Sequence, residues 1–491
     1  MNLRHLTLFF LLPVLILASC KKDEMLTDSS AKLDFSTDSV LFDTVFHYAG
    51  STTKLFRIYN KHSQPMIISK VYLAGGTSSN FQLNIDGLAT TVSSPILKDI
   101  EILGGDSLYG FVQVNVTPSG SNPLLIKDSI IFETNGNIQD IKLTAIGQDV
   151  YLHKPDPGKF YSIIGRAGHD TTLPNDKPHL VFGYVVVDSA CKLTLQPNTH
   201  FFMHNHSVFW VYKDGTLIMD GGIAPGTEVT FQGDRLEPEY KDTPGQWGKI
   251  WLSALSKDNK INYAIIKNGA IGVQADTLNG TLASATSPTL IITNTIIKNM
   301  SAAALYAQGS FVRGVNCVFA NCGQYVTALS IGGRYSFIHC TFADYWTGAT
   351  ARTTPVLALN NYYTSTGGTT FVRSLDSAYF GNCIIYGDLT NEVELDSAAA
   401  AGPGYFSYKF DHCLLKTTLN TTIEMLHYNS DYVNNDPGFK DAASNDFRMN
   451  AATSFAVDKG NTSILISKDI LNANRPNPST SIPDLGAYEF Y

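Results

Sequence analysis

From residue 262 onward, a polar residue followed by alternating small and large apolar residues recurs along the chain. The clear copies are Asn294-Thr295-Ile296-Ile297, Asn316-Cys317-Val318-Phe319, His339-Cys340-Thr341-Phe342, Asn382-Cys383-Ile384-Ile385 and His412-Cys413-Leu414-Leu415. An earlier copy opens at Asn262 and a weaker one at Asn361, so successive openers stand 32, 22, 23, 22, 21 and 30 residues apart. A spacing in the low twenties marks a repeat architecture. Within each clear copy the first residue after the opener is small (Thr or Cys) and the third is large and apolar, which is strand periodicity and not the 3.6-residue period of a helix. Short strands repeating at this interval predict a parallel β-helix, with coils stacked at ~4.8 Å and the longer steps carrying outward loops. The small and large apolar residues would form files down its interior. Asn316, His339, Asn382 and His412 would form a ladder of hydrogen-bonded corner side chains. Cys317, Cys340, Cys383 and Cys413 would stack as small buried hydrophobes. Parallel side chains on stacked strands disfavour disulfides, and one Cys per coil lacks the local spacing of a metal site, so free thiols and no metal are expected.

Upstream, the pattern is different. Between residues 33 and 150, seven strand-like runs (Ser39–Phe42, Thr53–Tyr59, Met66–Leu73, Phe81–Ile85, Leu108–Val116, Ile126–Glu133 and Ile141–Ile146) are separated by Gly, Asn, Ser and Pro. Short alternating strands at such intervals predict an all-β sandwich. Residues 151–178 carry Pro155, Pro157, Pro174 and Pro178 and read as a linker. Apolar strands with Gly turns then resume, with Lys192–Leu195 and Gly215–Met219 about one coil apart. The expected division is a leader over 1–19, a tether over 20–32, a sandwich over 33–150, a linker over 151–178, a β-helix over 179–435 and a closing segment over 436–491.

The start of the chain and its charge restrict the setting. Arg4 and His5 precede an apolar run, Leu6–Ile16, too short to span a bilayer, which ends in Leu17-Ala18-Ser19-Cys20. This resembles a bacterial lipoprotein signal, which implies cleavage before Cys20 and lipid on that residue. Lys21-Lys22-Asp23-Glu24 resembles the short acidic signal that directs some lipoproteins to the outer surface of the outer membrane. The formal net charge is −8, and loss of Arg4 with the leader makes the chain more acidic still. With no basic run, nucleic acid is excluded as a partner.

Further likenesses follow from particular residues. The strand Leu143-Thr144-Ala145-Ile146-Gly147 resembles the last strand of immunoglobulin-like sandwich modules, which implies a spacer or adaptor. Gly245–Ile250, the repeat and the tail segments Asp436–Phe439, Asn445–Met449, Asp458–Gly460, Asn474–Pro476 and Asp484–Glu489 resemble the pectin-lyase-like superfamily. That resemblance implies a right-handed parallel β-helix. Its enzymes cleave acidic polysaccharides with clustered Asp, Ca²⁺ and a basic residue, or with paired carboxylates. No Asp-Asp pair occurs in this chain, so no catalytic residue is assigned. Asp436, Asp446, Asp458 and Asp484 offer oxygens of the kind calcium takes, but Asp at loop starts is an ordinary turn residue, and no cofactor is expected.

Two stretches stand out as binding candidates. The charged loop 233–242 contributes Asp234, Arg235, Glu237 and Glu239; a second loop contributes Tyr345, Trp346 and Arg352. Displayed aromatics stack on sugars or anchor protein partners. The expected function is a non-enzymatic, lipid-anchored outer-membrane scaffold with a protein partner, such as an assembly or transport complex at the cell surface. The alternative is a protein that binds or cleaves an acidic polysaccharide.

Overall fold

The computed structural model describes residues 24–116, 124–276, 287–348, 350–398, 404–422 and 426–491. Cys20, the expected lipid site, lies outside the described residues. The chain divides into two compact units, Met1–Val150 and Tyr151–Tyr491.

In the first unit two five-stranded sheets enclose one core. One orders the strands Asp34–Phe35, Lys54–Tyr59, Ser107–Val114, Phe81–Ile85 and Leu88–Ala89. The other orders Ser39–Phe46, Asn137–Gln148, Leu124–Thr134, Met66–Leu73 and Ile96–Ile102. The alternation seen in sequence turns Phe56, Ile58, Val112 and Val114 inward from one sheet, and Ile68, Val71, Ile130 and Phe132 from the other. Asn135 and Gly136, both at positive φ (51° and 77°), close the hairpin between the two longest strands. Such residues suit the tight turns that match strand twist. Strand Ile96–Ile102 escaped the sequence reading. Asp99 sits at φ 53° and the pairing skips a residue there, so the buried Leu97 and Ile100 are three apart and the two-residue period is lost.

The second unit is a parallel β-helix of three sheets, with eleven, nine and ten strands. One coil illustrates the path. Val318–Cys322 lies in the eleven-stranded sheet, Thr327–Ser330 in the nine-stranded sheet and Gly333–Ile338 in the ten-stranded sheet; Thr341–Asp344 then stacks on Val318–Cys322 in parallel. Residues 151–178, expected as a linker, instead form the first coil. Tyr151–His153, Tyr161–Gly165 and Thr171–Thr172 each pair in parallel with the strand of the next coil. Proline confined to the loops between strands removes no ladder donor, so a Pro-rich stretch still closes a coil.

The interior is a set of files. Cys317, Cys340, Cys383 and Cys413 are fully buried free thiols, and Thr295, Ile297, Phe319, Phe342, Ile385 and Leu415 are equally buried. Phe319 and Phe342 stack at 5.1 Å, Phe337 and Phe380 at 5.5 Å, and Phe380 and Phe410 at 5.1 Å, while Phe319 meets Phe337 edge-on at 6.1 Å.

The corner before each of these files adopts left-handed backbone: Asn294, Asn316, His339, Asn382 and His412 all lie at φ between 47° and 54°. Asn tolerates this conformation better than most residues. Asn316 donates to Asn294 Oδ1 (3.2 Å), and Asn382 bonds His339 Nε2 (3.0 Å). His412 turns aside to Asp411 (2.7 Å). Two expected copies are corrected. The register puts Tyr263, at φ 48°, in the corner file, with Asn262 one residue before it. Asn361 is not a corner of this file: His339 and Asn382, 43 residues apart, are consecutive, because the coil between them carries the hairpin Tyr362–Thr364/Thr370–Val372.

Residues 436–491 run along the outside of the eleven-stranded sheet. Phe447, Ile470, Ala487 and Tyr488 cover Val318, Ala320 and Ala343; Met449, Ala456 and Leu485 cover Ile384, Tyr386 and Leu414. Burial on both faces explains why these strands read as continuous apolar runs. The corner side chains also secure the tail: Arg475 donates to Asn316 Oδ1 (2.8 Å), and Asn461 N donates to Asn382 Oδ1 (2.7 Å). The tail carboxylates serve its own backbone, as Asp436 accepts from Gly438 N and Asp484 from Asp458 N and Phe490 N.

Candidate functional site

Most of the charged candidates are already paired. Asp234 accepts from His204 Nδ1 (2.6 Å). Arg235 forks onto Glu237 at 3.0–3.1 Å and lies 4.0 Å over the Tyr240 ring, with Glu237 itself buried. The Glu237 carboxylate holds the Arg235 guanidinium above its usual range. Glu239 is exposed. Arg352, expected on the surface, is buried: its side chain is 2% exposed and meets Glu392, Asp388 and Asp344 at 2.6, 2.5 and 3.4 Å. The displayed-ligand role is therefore withdrawn for this residue. An arginine whose bidentate partner lies forty positions away gives no local sign of burial in sequence.

The structure nevertheless brings the two candidate loops together. A cleft of about 530 Å³ is walled by Lys241–Pro244 on one side and Tyr345–Gly348 on another, with Ala443–Asn445 of the tail on a third. A second corner file, unnoticed in sequence, supplies its floor. Asn268, Asn299 and Asn321 lie at φ 67°, 56° and 52° where the eleven-stranded sheet turns toward the nine-stranded one. Asn299 donates to Asp242 (3.0 Å), Asn321 donates to Asn445 (2.8 Å), and Asn321 Oδ1 accepts from Tyr345 N (2.9 Å). Asn268 donates to Lys241 O (2.9 Å). These amides tie the loops to the coils. Trp346 is half-buried, its indole N–H donating to Thr350 O (2.8 Å).

The outer face of the nine-stranded sheet carries a second feature. Register alignment places Trp210, Trp251, Gln274, Tyr306, Ala328, Ala358 and Glu394 in one outward file. Six rungs at ~4.8 Å make it roughly 30 Å long. The Trp210 and Trp251 rings stack at 5.0 Å and 11°, and Tyr184 meets Trp210 edge-on. Polar groups hold these rings in place: Trp251 Nε1 donates to Asp276 (2.7 Å), Lys249 Nζ donates to Gln274 (2.6 Å) while lying 4.9 Å from the Trp251 ring centre, and Gln308 donates to Tyr306 (2.7 Å). Burial lowers the Lys249 ammonium pKa. Farther along, Tyr306, Tyr325, Glu394 and Asp396 border a hollow of about 250 Å³, and Tyr362 of the inserted hairpin donates to Asp396 (2.6 Å). The intervals between these aromatics vary with the inserted loops, so only the strand register reveals their alignment.

No group of three or more metal-ligating side chains occurs among the described residues. His200, His204 and His206 diverge: His200 bonds Thr230, His204 bonds Asp234 and His206 sits in a turn at φ 60°.

No family model matches the chain, and no curated protein matches it. Among solved structures it is similar to the catalytic unit of a thermostable GH87 α-1,3-glucanase from Streptomyces thermodiastaticus strain HF3-3, at 11% identity over 73% of this chain and 79% of that one, with a TM-score of 0.27. It is also similar to the E. coli chaperone DraB, at 14% identity over 23% of this chain and TM-score 0.16, and spans 54% of that chaperone's length. A PapD-like domain of human CEP192 is covered to 92% at 10% identity over 26% of this chain, with a TM-score of 0.16. Likenesses of this size say nothing about activity.

Proposed function

We propose that this chain is a glycan-binding protein, held at the outer membrane through lipid on Cys20, and that the outward file of the nine-stranded sheet is its binding surface. One observation carries the reading: the stacked Trp210–Trp251 pair lies in line with Tyr306 and is flanked by Lys249, Gln274 and Asp276. A row of stacked rings whose rims face outward, with fixed donors and acceptors beside them, matches a sugar chain, whose rims carry hydroxyls. Cation–aromatic and amide–carboxylate contacts already fix the side chains, so little rotamer freedom remains to be lost on binding.

The test is a glycan array followed by calorimetry on the full-length protein in detergent. Wild type binds at least one oligosaccharide, and Trp251→Ala weakens binding ~10–100-fold, about 1.4–2.7 kcal/mol. A blank array, or an unchanged Trp251→Ala variant, refutes the reading. The anchor is checked separately by metabolic labelling with a fatty-acid analogue, which Cys20→Ser abolishes.

A protein partner on the first unit is favoured by a different observation. Leu55, Tyr109, Phe111 and Leu88 are 53%, 42%, 39% and 50% exposed on one sheet, with Leu55 paired to Phe111. Such a patch suits protein association.

A further inference from the structure

Resting on the proposed lipid at Cys20, we infer that one end of the first unit is seated on the bilayer surface, with Leu103 and Ile138 in its headgroup layer. Fastening to the sandwich begins within the stretch expected as a tether. Leu26 N donates to Pro65 O (2.9 Å), Gln64 Nε2 to Glu24 O (3.3 Å) and Asn137 Nδ2 to Ser29 O (2.8 Å). Leu26 packs against the sandwich core, and Ala31 and Leu33 are buried in it. Leu26 is six residues beyond Cys20, a reach of at most ~21 Å however those residues run. A lipid on Cys20 therefore holds a particular end of the sandwich close to the bilayer.

Two large apolar side chains stand out from that end. Leu103 is 58% exposed and Ile138 is 72% exposed. Leu103 follows the strand Ile96–Ile102, whose last residue pairs with Met66, and Ile138 lies next to the hairpin turn Asn135–Gly136. Their strands are three places apart in one sheet, roughly 14 Å. Residues 26–29 cross between them, from Pro65 to Asn137. Neither side chain is free to turn inward. The buried Asn60 amide donates to Gln64 O, Ile102 O and Leu103 O (2.8, 3.3 and 3.1 Å), and Gly105 N donates to His62 O (2.8 Å), which locks the two loops together. Ladder pairing with Glu133 fixes the backbone of Ile138.

Single exposed apolar residues are ordinary on a protein surface. Two held outward on either side of the point where an anchored chain enters are placed to bury apolar area in lipid, which adds to membrane binding. The carboxylates of Asp28 and Asp106 at the same end are turned to the backbone N–H groups of Ser30 and Ser107, each at 2.7 Å. From this end the strand Asn137–Gln148 carries the chain ~37 Å before it leaves the first unit at Val150. The sandwich so seated is a spacer standing on the lipid.

The test uses the full-length lipidated protein in phosphatidylethanolamine–phosphatidylglycerol vesicles. The six cysteines among the described residues are buried, so a thiol-reactive fluorophore at the exposed Ser63→Cys reports this end, and one at the exposed Ser78→Cys reports the other. The strand Met66–Leu73 separates the two sites by about 24 Å, so nitroxide-labelled lipid is expected to quench the first at least ~3-fold more strongly. Leu103→Ser/Ile138→Ser, which changes only exposed positions, keeps the urea midpoint and lowers quenching at residue 63 about 2-fold. Equal quenching at the two sites, in protein shown by mass to carry lipid on Cys20, overturns the inference and leaves the anchor standing. Unchanged quenching in the double variant also overturns it. A Cys20 without lipid refutes the anchor and the inference together. Quenching confined to residue 63 in a protein that binds no glycan would keep this inference and refute only the glycan reading.

Discussion

Replacing Arg352 by methionine tests how the wall of the cleft is held. Both terminal nitrogens of the guanidinium bond Glu392, at 2.7 and 2.6 Å, and one also bonds Asp388 at 2.5 Å. Nη1 donates to Thr354 O (2.7 Å), and Nε lies 3.4 Å from Asp344. The Glu392 and Asp344 side chains are both 0% exposed. Arg352→Met leaves these carboxylates without their cation, a loss of about 3–5 kcal/mol for a broken buried pair. Glu392 also accepts the backbone N–H groups of Val356 and Leu389 at 2.9 Å, one on each oxygen. Arg352→Met/Glu392→Gln removes both charges, and the amide oxygen it introduces still accepts from one of those N–H groups. The double variant is therefore expected to be more stable than Arg352→Met alone.

The pH dependence makes the test stricter. Burial pushes Asp344 up to about 8, against the opposing pull of Arg352. At pH 5 a protonated Asp344 needs no counter-charge, so Arg352→Met costs less there than at pH 8.5. Urea unfolding followed by tryptophan emission reads this unit directly, because Trp210, Trp247, Trp251 and Trp346 all belong to it. A cost below about 1 kcal/mol, an equal cost at both pH values, or a double variant less stable than Arg352→Met would refute the reasoning.

Two further outcomes are expected. In the wild type, Asp344, Asp431 and Asp484 have folded-state pKa values raised by burial, to about 8, 7 and 7. A carboxyl raised in this way stabilises the fold fully below its unfolded value of 3.8 and loses that contribution as pH rises through 7 to 8. The β-helix should thus unfold at lower urea at pH 8.5 than at pH 5, and the reverse order would contradict the assignment. In the first unit, a Cβ on Gly110 would sit 2.1 Å from the Phe56 ring, so Gly110→Ala should destabilise it by about 1–3 kcal/mol, measured by tyrosine fluorescence, and an unchanged midpoint would contradict it.

How far the fold was legible depended on which residues set the period. The inner files were legible because Cys317/Phe319, Cys340/Phe342 and Cys383/Ile385 face a dry interior whose chemistry hardly changes between coils. The first coil was not, since Tyr151–His153 and Thr171–Thr172 are short and set among prolines. The left-handed residue Asp99, at a gap in the pairing, hid a strand in the sandwich. For the candidate site, the loops around 241 and 345 were visible as charge and aromatics, but their meeting was not, because Asn299 and Asn321 join them across the coil stack. The fate of Arg352 was hidden for the same reason.

The inserted segments explain why the cleft and the open aromatic file lie on one side of the coil stack. From residue 294 on, the corners leading into the eleven-stranded sheet are two-residue turns such as Asn316-Cys317 and His339-Cys340. They leave no room for variation, and the outer face they lead to is covered by the tail. The excursions 234–246, 345–356 and 361–374 instead leave the coils at the two edges of the nine-stranded sheet. A stacked coil tolerates insertion only where a turn reaches solvent, because an insertion within a rung would unpair its neighbours above and below. Loops added at both edges become walls, and the strand face between them becomes a floor on which register alone aligns Trp210, Trp251 and Tyr306. The regular stack thus supplies the straight aromatic row, and the interruptions of the stack supply the charged cleft beside it.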